Sequence, residues 1–458
     1  MKVIICGAGQ VGFNIARHLA HEKNDVTVID RSEELINKVR NSLDVHALVG
    51  YASYPDLLEA AGAEDADMII AVTLFDEVNI VACQVAHSLF NVPTKIARIR
   101  AQNYLNPQWK ALFSRDHMPI DVIISPEIEV AKAAINRLEV PGATDMIRFA
   151  DDRVWLVGIK LEDDCPVVDT PLRQLTELFP DLNIVVCGIL RNGKLIVPCG
   201  NDHLLVGDNI YITSEKSHVN RALGVFGHEE EEVKNVAIVG GGNVGLFLSE
   251  QLVKAGNKFN VKIIERDELR AVKVAEQVSK AVVLHGDALD IEILKEANIQ
   301  GTETIISVTN DDKVNILSAL LAKEMGCKRA ITLINDHSFG DLTGSVGIDA
   351  FVDPRQTTVS SILQHMRRGS ISSLQSLAGG EAEVIEAIAV DSSPLVGKPL
   401  REIKLPTGII VGSVIQGDNI IVPNGGTIIR SGDIVIVFTA TDMVKKVEEL
   451  FSVGLEYF

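Results

Sequence analysis

Short unbroken aliphatic runs recur along the chain, separated by longer stretches in which apolar positions return every three or four residues. VIICG, DVTVID, MIIAVT, TKIARI and DVIIS are runs of the first kind, and VGFNIARHLA and EVNIVACQVAHSLF are stretches of the second. Continuous Val/Ile-rich runs suit strands covered on both faces, and the longer period is that of an amphipathic helix. Their alternation predicts β-α-β units building a parallel sheet, an α/β domain of the doubly wound kind.

The pattern occurs twice. VIICGAGQVG at 3–12 returns as VAIVGGGNVG at 236–245, and VTVIDR at 26–31 returns as VKIIER at 261–266. LVGYASYPDLLEAAGAEDADMIIAVT, ending at Thr73, is echoed by VLHGDALDIEILKEANIQGTETIISVT, ending at Thr309, and PIDVIISP by GIDAFVDP. Behind each large part comes a smaller one. TPLRQL at 170–175 answers KPLREI at 398–403, and strand-like runs follow both, with Asn192-Gly193 and Gly417-Asp418 between them as hairpin turns. Each small part reads as α+β, strands around one short helix-like segment. The expected order is large, small, large, small, with HEEEE at 228–232 as an exposed linker between the halves.

Gly7, Gly9 and Gly12 form G-x-G-x-x-G directly after a strand and before a helix pattern, the context a dinucleotide-binding loop requires. The first glycine permits the tight turn, the second lets backbone approach a pyrophosphate, and the third packs helix on strand. Asp30, ending the second strand, is spaced to accept hydrogen bonds from ribose hydroxyls, and its charge favours NAD(H) over a 2′-phosphorylated cofactor. The second copy carries Gly240, Gly242, Gly245 and Glu265. Thr73 and Thr309 end the fourth strand in each copy, as a strand cap or as a ligand contact. Arg98 and Arg100 alternate at the end of the next strand, where a guanidinium can reach phosphate or stay solvated; the second half has Leu333 and Asn335 there. The second site is therefore expected to hold phosphate less tightly unless another residue substitutes.

Composition narrows the function. At 458 residues several cores are expected, and 47% hydrophobic with 23% charged residues is ordinary globular usage. A net charge of −19 repels phosphate backbones and anionic lipid headgroups, so neither nucleic acid nor a bare membrane surface is the expected partner. No apolar run has the 18 or so residues that a membrane-spanning helix needs, and MKVIICGAGQ enters a strand at once rather than a signal peptide, so a cytosolic or peripheral chain is expected. The six cysteines are scattered and read as buried packing residues. No general acid or base stands out for hydride chemistry; the eleven histidines are dispersed, with His285 the one to watch. Asp163, Asp164 and the Glu229–Glu232 run read as solvated carboxylates, and no metal site is expected.

GAGQVG with Asp30, the LVGYASYPDLLEAAG and VLHGDALDIEILKEA segments, PLREIKLP and the terminal Gly-Asp hairpins occur here in one fixed order. In this the chain resembles the family that carries RCK (regulator of K+ conductance) domains in tandem. The resemblance implies an RCK-N domain at 1–125, RCK-C at 143–227, RCK-N at 232–352 and RCK-C at 372–456. It implies a homo-tetrameric ring on the cytoplasmic face of a bacterial inner membrane, docked without membrane insertion on the potassium-translocating subunit of a Trk system. Bound nucleotide, NAD(H) with ATP and ADP as further candidates, would set the ring's conformation and so the pore's. Carried onto this sequence, the first site is Gly7, Ala8, Gly9, Gln10 and Val11 with Asp30, Thr73, Leu74 and Arg98. The second is Gly240, Gly241, Gly242, Asn243 and Val244 with Glu265, Thr309 and Asn310. Two other readings stay open at this point: an NAD-dependent oxidoreductase with tandem Rossmann domains, and a nucleotide sensor with a soluble partner.

Overall fold

A computed structural model describes residues 1–179, 182–228, 233–256, 258–336, 339, 346–365, 371–377 and 380–451. The chain forms two compact units, Met1–Ala134 with Lys234–His365 and Ile135–Val233 with Met366–Phe458. The large parts of the repeat thus share one unit and the small parts the other.

In the first unit, strands β1 (Lys2–Cys6), β2 (Asp25–Asp30), β3 (His46–Val49), β4 (Met68–Ala71), β5 (Thr94–Arg98) and β6 (Val122–Ile124) form a parallel sheet in the order β3-β2-β1-β4-β5-β6. Helices α1 (Gln10–His21), α2 (Glu33–Ser42), α3 (Pro55–Ala60) and α4 (Asp76–Phe90) are the crossovers. α1 buries Gly12, Ile15, Ala16 and Leu19, the three-four spacing that puts one stripe on the sheet. The third strand and helices α2 and α3 escape the aliphatic-run pattern because they are short and half exposed: HALV alternates instead of running unbroken.

The second copy repeats this sheet with β12 (Asn235–Val239), β13 (Asn260–Glu265), β14 (Val282–His285), β15 (Thr304–Ser307), β16 (Arg329–Leu333) and β17 (Ala350–Val352), in the order β14-β13-β12-β15-β16-β17. The helix Asn243–Lys254 buries Gly245, Leu248, Ser249 and Leu252, the same four positions as α1. In both sheets the strand order reverses beside the first strand, which opens a crevice at the carboxyl ends where doubly wound folds hold ligands. The helix Pro354–Gln364 closing the second copy packs against α1 and β6 of the first.

The second unit holds two antiparallel sheets. In the first, β7 (Ala143–Phe149), β8 (Val154–Lys160), β9 (Ile184–Arg191), β10 (Lys194–Ile196) and β11 (Asn209–Glu215) run in the order β10-β9-β11-β8-β7. In the second, β18 (Ile371–Leu377), β19 (Ala382–Ile388), β20 (Ile409–Gln416), β21 (Asn419–Ile421) and β22 (Ile434–Ala440) repeat that order as β18-β19-β22-β20-β21. Asn192 and Gly193 both take positive φ, as a type I′ turn demands, whereas in the other hairpin only Gly417 does, the type II′ pattern. Among the described residues each small part has more than the one helical segment expected: Leu172–Leu178 and Val219–Val225 in the first, a 3-10 turn at Leu400–Glu402 and the helix Val444–Phe451 in the second. Pro406 and Gly408 come so soon after it that the second PLR segment stops after one turn. Of the acidic linker, residues 229–232 lie outside the described residues; His228 is half-buried and anchored, its Nε2 2.9 Å from the Lys160 carbonyl oxygen.

Besides a core of its own, each small sheet contributes to a common one: Phe149, Leu156, Cys187 and Tyr211 pack with Val384, Ile415, Ile436 and Phe438. Contact is close enough that glycine is required. A Cβ on Gly188 would lie 2.4 Å from Cζ of Phe438, and one on Gly412 2.8 Å from Cγ2 of Thr213, whose hydroxyl donates to the Gly412 carbonyl at 2.8 Å.

Gly188→Ala should lower the stability of this unit by about 2 kcal/mol through overpacking, and Phe438→Leu in the same chain should recover part of it in a urea-unfolding cycle; simple additivity would show that the two sites do not touch. Five cysteines are buried and Cys199 alone is exposed, which corrects the reading of all six as packing residues. Burial pushes the Cys83 and Cys187 thiols up to about 12. Native-state alkylation with mass-spectrometric readout should therefore modify Cys199 first and the others only after unfolding.

Candidate functional site

The loop after β1 turns on Gly7, whose φ of +113° suits only glycine. A Cβ on Gly12 would stand 1.8 Å from the Gly7 carbonyl oxygen, so the third glycine is what lets α1 seat against the strand. Gly9 differs from both: it caps α1 in extended backbone, and a Cβ there would meet nothing within 4 Å. Its lack of a side chain serves no contact inside the protein and leaves open the space in front of the helix amides. Gly9 and Gln10 are exposed, Val11 is half-buried, and Ala8 is buried.

Asp30 ends β2 beside this loop. One carboxylate oxygen accepts from the Ala8 amide at 2.7 Å and the other from the Ser32 amide at 2.8 Å. The carboxylate thereby fixes the loop and the turn into α2 together, with lone pairs remaining on both oxygens. Across the crevice, Thr73 lies just past β4, its amide nitrogen 3.0 Å from where a Gly7 Cβ would be. Its hydroxyl lies 2.7 Å from Oδ1 of Asn79, with the Phe75 carbonyl at 3.2 Å, so the strand-cap reading describes its present contacts. Leu74 is 73% exposed at the mouth.

The residue that organises this side is Asn79, which sequence reasoning passed over inside an apolar helix. Completely buried on α4, its Oδ1 accepts from both the Thr73 amide and hydroxyl, and its Nδ2 donates to the Arg98 carbonyl at 2.9 Å. Arg98 is buried and turns its Nη2 onto the Thr73 carbonyl at 2.9 Å, while its Nε has no hydrogen-bond partner among the described residues. Burial and, secondarily, the neighbouring Arg100 charge hold its pKa below the usual arginine value. A buried guanidinium with a spare donor favours an anion nearby. Arg100 is half exposed and ion-paired with Glu127 at 2.9 Å rather than simply solvated.

The second half rebuilds most of this. Gly240 has φ of +102°, a Cβ on Gly245 would lie 1.9 Å from the Gly240 oxygen, and one on Gly242 would meet nothing within 4 Å. Glu265 reaches the Gly241 amide at 2.6 Å and the Asp267 amide at 2.8 Å, the longer side chain making the same two ties. Asn315 repeats Asn79, holding the Thr309 amide at 2.8 Å and the Leu333 carbonyl at 2.9 Å. Asn243 and Asn310 are exposed and Val244 half-buried. Leu333 stands where the first half has Arg98, and beside the second loop Arg270 donates from Nε to the Gly241 carbonyl at 2.8 Å and from Nη2 to Oδ1 of Asn243 at 3.2 Å.

The halves also differ around the mouth. Tyr51 and Tyr54 stack at 5.1 Å, both half exposed, where the repeat has Asp287 and Asp290, and Arg31 lies 5.4 Å from the Phe75 ring centre. The sequence signal for these and for Arg270 is a mismatch between the two copies. His285 ends β14, exposed, with Nε2 3.2 Å from the Arg266 carbonyl oxygen. Asp163 and Asp164 are exposed, and among the described residues no group of His, Cys, Asp or Glu is arranged to hold a metal. Nor, among them, is any helix long and apolar enough to cross a membrane.

Replacing Asn79 by Ala would strand the Thr73 amide and hydroxyl and the Arg98 carbonyl. The expected cost is about 3 kcal/mol, read as a lower urea midpoint at unchanged m-value, and Asn315→Ala should behave alike.

The TrkA-N domain family matches residues 3–126 and 236–354, and the TrkA-C domain family residues 150–227 and 384–452. The Trk system potassium uptake protein TrkA of Azorhizobium caulinodans is 51% identical over 458 residues, covering the whole of both chains. Of solved structures, the GsuK RCK domain superposes with a TM-score of 0.58 at 17% identity, covering 98% of this chain and 94% of that one. The GsuK channel bound to NAD gives 0.58 at 19% identity, covering 98% and 78%. At those identities the structures speak for the fold, and it is the match along the full length together with the twofold alternation of TrkA-N and TrkA-C domains that decides the assignment: this chain belongs to the TrkA family of Trk system potassium uptake proteins.

Proposed function

We propose that the chain is a nucleotide-sensing regulatory subunit of a Trk-type potassium uptake system, binding NAD(H) at its glycine loops and gating potassium movement through a membrane partner. The observation that carries this is the open space over Gly9 and Gly242, which no protein contact requires, facing a helix N-terminus and a carboxylate in both copies of a TrkA-family chain.

The residues fit a dinucleotide. The amides at the start of the helix after each loop face the open space, where the macrodipole favours phosphate. Asp30 and Glu265 spend one lone pair of each oxygen on loop amides and keep others for ribose hydroxyls, and their charge works against a 2′-phosphate. Arg98 offers the first loop a spare donor beside Thr73. ADP and ATP share the adenosine end that these groups recognise, so they belong to the same proposal. A bound dinucleotide supplies a redox-dependent charge at its nicotinamide ring, NAD+ being one positive charge above NADH.

Regulation is then a matter of linkage: a ligand shifts the subunit between states only by its difference in affinity for them. Taking an assembly from mostly closed to mostly open needs on the order of 5 kcal/mol, which several equivalent loops in a homo-tetrameric ring supply jointly. We place the ring on the cytoplasmic face of the membrane against the potassium-translocating subunit, with 1–125 and 232–352 as its nucleotide-binding domains and 143–227 and 372–456 as assembly domains. The proposal assigns binding without turnover.

Calorimetric titration of the full chain with NADH, NAD+, ADP and ATP should give two sites per chain. Asp30→Ala and Glu265→Ala should each weaken one of them at least tenfold, about 1.4 kcal/mol, with the nicotinamide absorbance unchanged throughout. A folded wild type that binds none of the four would sink the sensor reading, and consumption of NADH would return the oxidoreductase.

A further inference from the structure

Duplication lets each half serve as a control for the other. Ser32 caps α2 by accepting from the Leu35 amide, and Asp267 caps the helix Glu268–Gln277 by accepting from the Arg270 amide, so Leu35 and Arg270 occupy one structural position. The first half has a buried arginine on β5 and a leucine here; the second has Leu333 on β16 and an arginine here. The positive charge has changed sides of the crevice rather than disappeared.

Its new place is informative. Arg270 holds the Gly241 carbonyl, whose own amide is held by Glu265, and reaches Asn243, the first residue of the helix behind the loop. These contacts use two of the five guanidinium N–H donors. Arg98, by contrast, comes from beyond the switch point and touches Thr73. In the order β14-β13-β12-β15-β16, the β13 side carries the ribose carboxylate and therefore faces the adenosine end of a ligand, whereas β15 and β16 face the group past the pyrophosphate.

We propose that Arg270 is the phosphate-binding cation of the second loop, and that its position makes this loop a receptor for the adenosine diphosphate group, taken as free ADP or as half of a dinucleotide. The inference rests on the nucleotide-sensing reading above and deepens it: the two loops of one chain select different parts of their ligands. The first draws its cation from the far side of the crevice and so registers the group beyond the pyrophosphate. The second draws it from the ribose side and is indifferent to the nicotinamide.

The test uses the full chain carrying Gly9→Val, whose Cβ enters the open space over the first loop with no protein atom within 4 Å, so that the second loop alone is left to bind. ADP and NAD+ are titrated into this chain, with and without Arg270→Leu, at several salt concentrations. Leucine is the residue the first half carries at this position with the same loop geometry, and Arg270→Lys serves as a second variant that keeps the charge without the fork. The expected result is binding of ADP and NAD+ with similar affinity, both weakened at least tenfold by Arg270→Leu, with a shallower salt dependence and an intermediate value for lysine. Unchanged affinity and salt slope in Arg270→Leu would overturn the proposal and leave Arg270 as a tie between helix and loop. A loss confined to NAD+ would overturn the adenosine diphosphate assignment. A Gly9→Val chain that binds neither ligand, while the wild type binds, would remove the second loop as a site and leave the first-loop reading intact; a wild type that binds nothing is the separate failure of the sensor reading.

Discussion

Helix α1 can meet strand β1 only because hydrogen alone stands between Gly12 and the Gly7 carbonyl, where a Cβ would be 1.8 Å from oxygen. Much of the nucleotide-binding unit depends on that approach. It drives the loop onto a positive φ at Gly7, aims the first helical amides at the crevice, and brings the Ala8 amide within reach of Asp30, which in turn fixes the start of α2. The same contact at Gly245, with the same chain of consequences through Glu265, builds the second copy. A methyl group at either position would have to displace backbone, the atoms least able to move.

Opposite the loop, the crevice is kept open by a polar clip inside an otherwise apolar layer. Asn79 and Asn315 are fully buried, yet each satisfies its strand-end threonine and the carbonyl of the neighbouring strand at once. A buried amide with its partners in place specifies one arrangement of the two strands, because any slip would leave several groups without hydrogen bonds in a dry environment. The clip is common to both halves, whereas the cation is not. Duplication has kept the parts that set geometry and let the parts that set charge drift apart.

The second unit carries its own logic. Its two sheets share the layer around Tyr211 and Phe438, with Gly188 and Gly412 at points where no side chain fits. The two small parts are thus partners for one another within a chain, in keeping with the assembly role proposed for them.

The sequence by itself determined the duplicated doubly wound sheets, the alternation with small α+β parts, the glycine loops and the carboxylates beside them. These are matters of period, spacing and backbone freedom, which a linear text carries: Gly12 is needed wherever a helix must touch a strand, and Val-Ile runs are needed wherever a strand is covered twice. Tertiary structure alone decided which hydrogen bonds Asn79 makes, that Arg98 turns onto Thr73 while Arg100 pairs with Glu127, and that Arg270 donates to the Gly241 carbonyl beside the second loop. It also decided that the small parts share a core and that Cys199 is exposed. The physical reason is common to all of them: each depends on which groups are brought together from distant points of the chain and on where water is excluded, and a long side chain such as arginine can serve a site from any of several strands or helices.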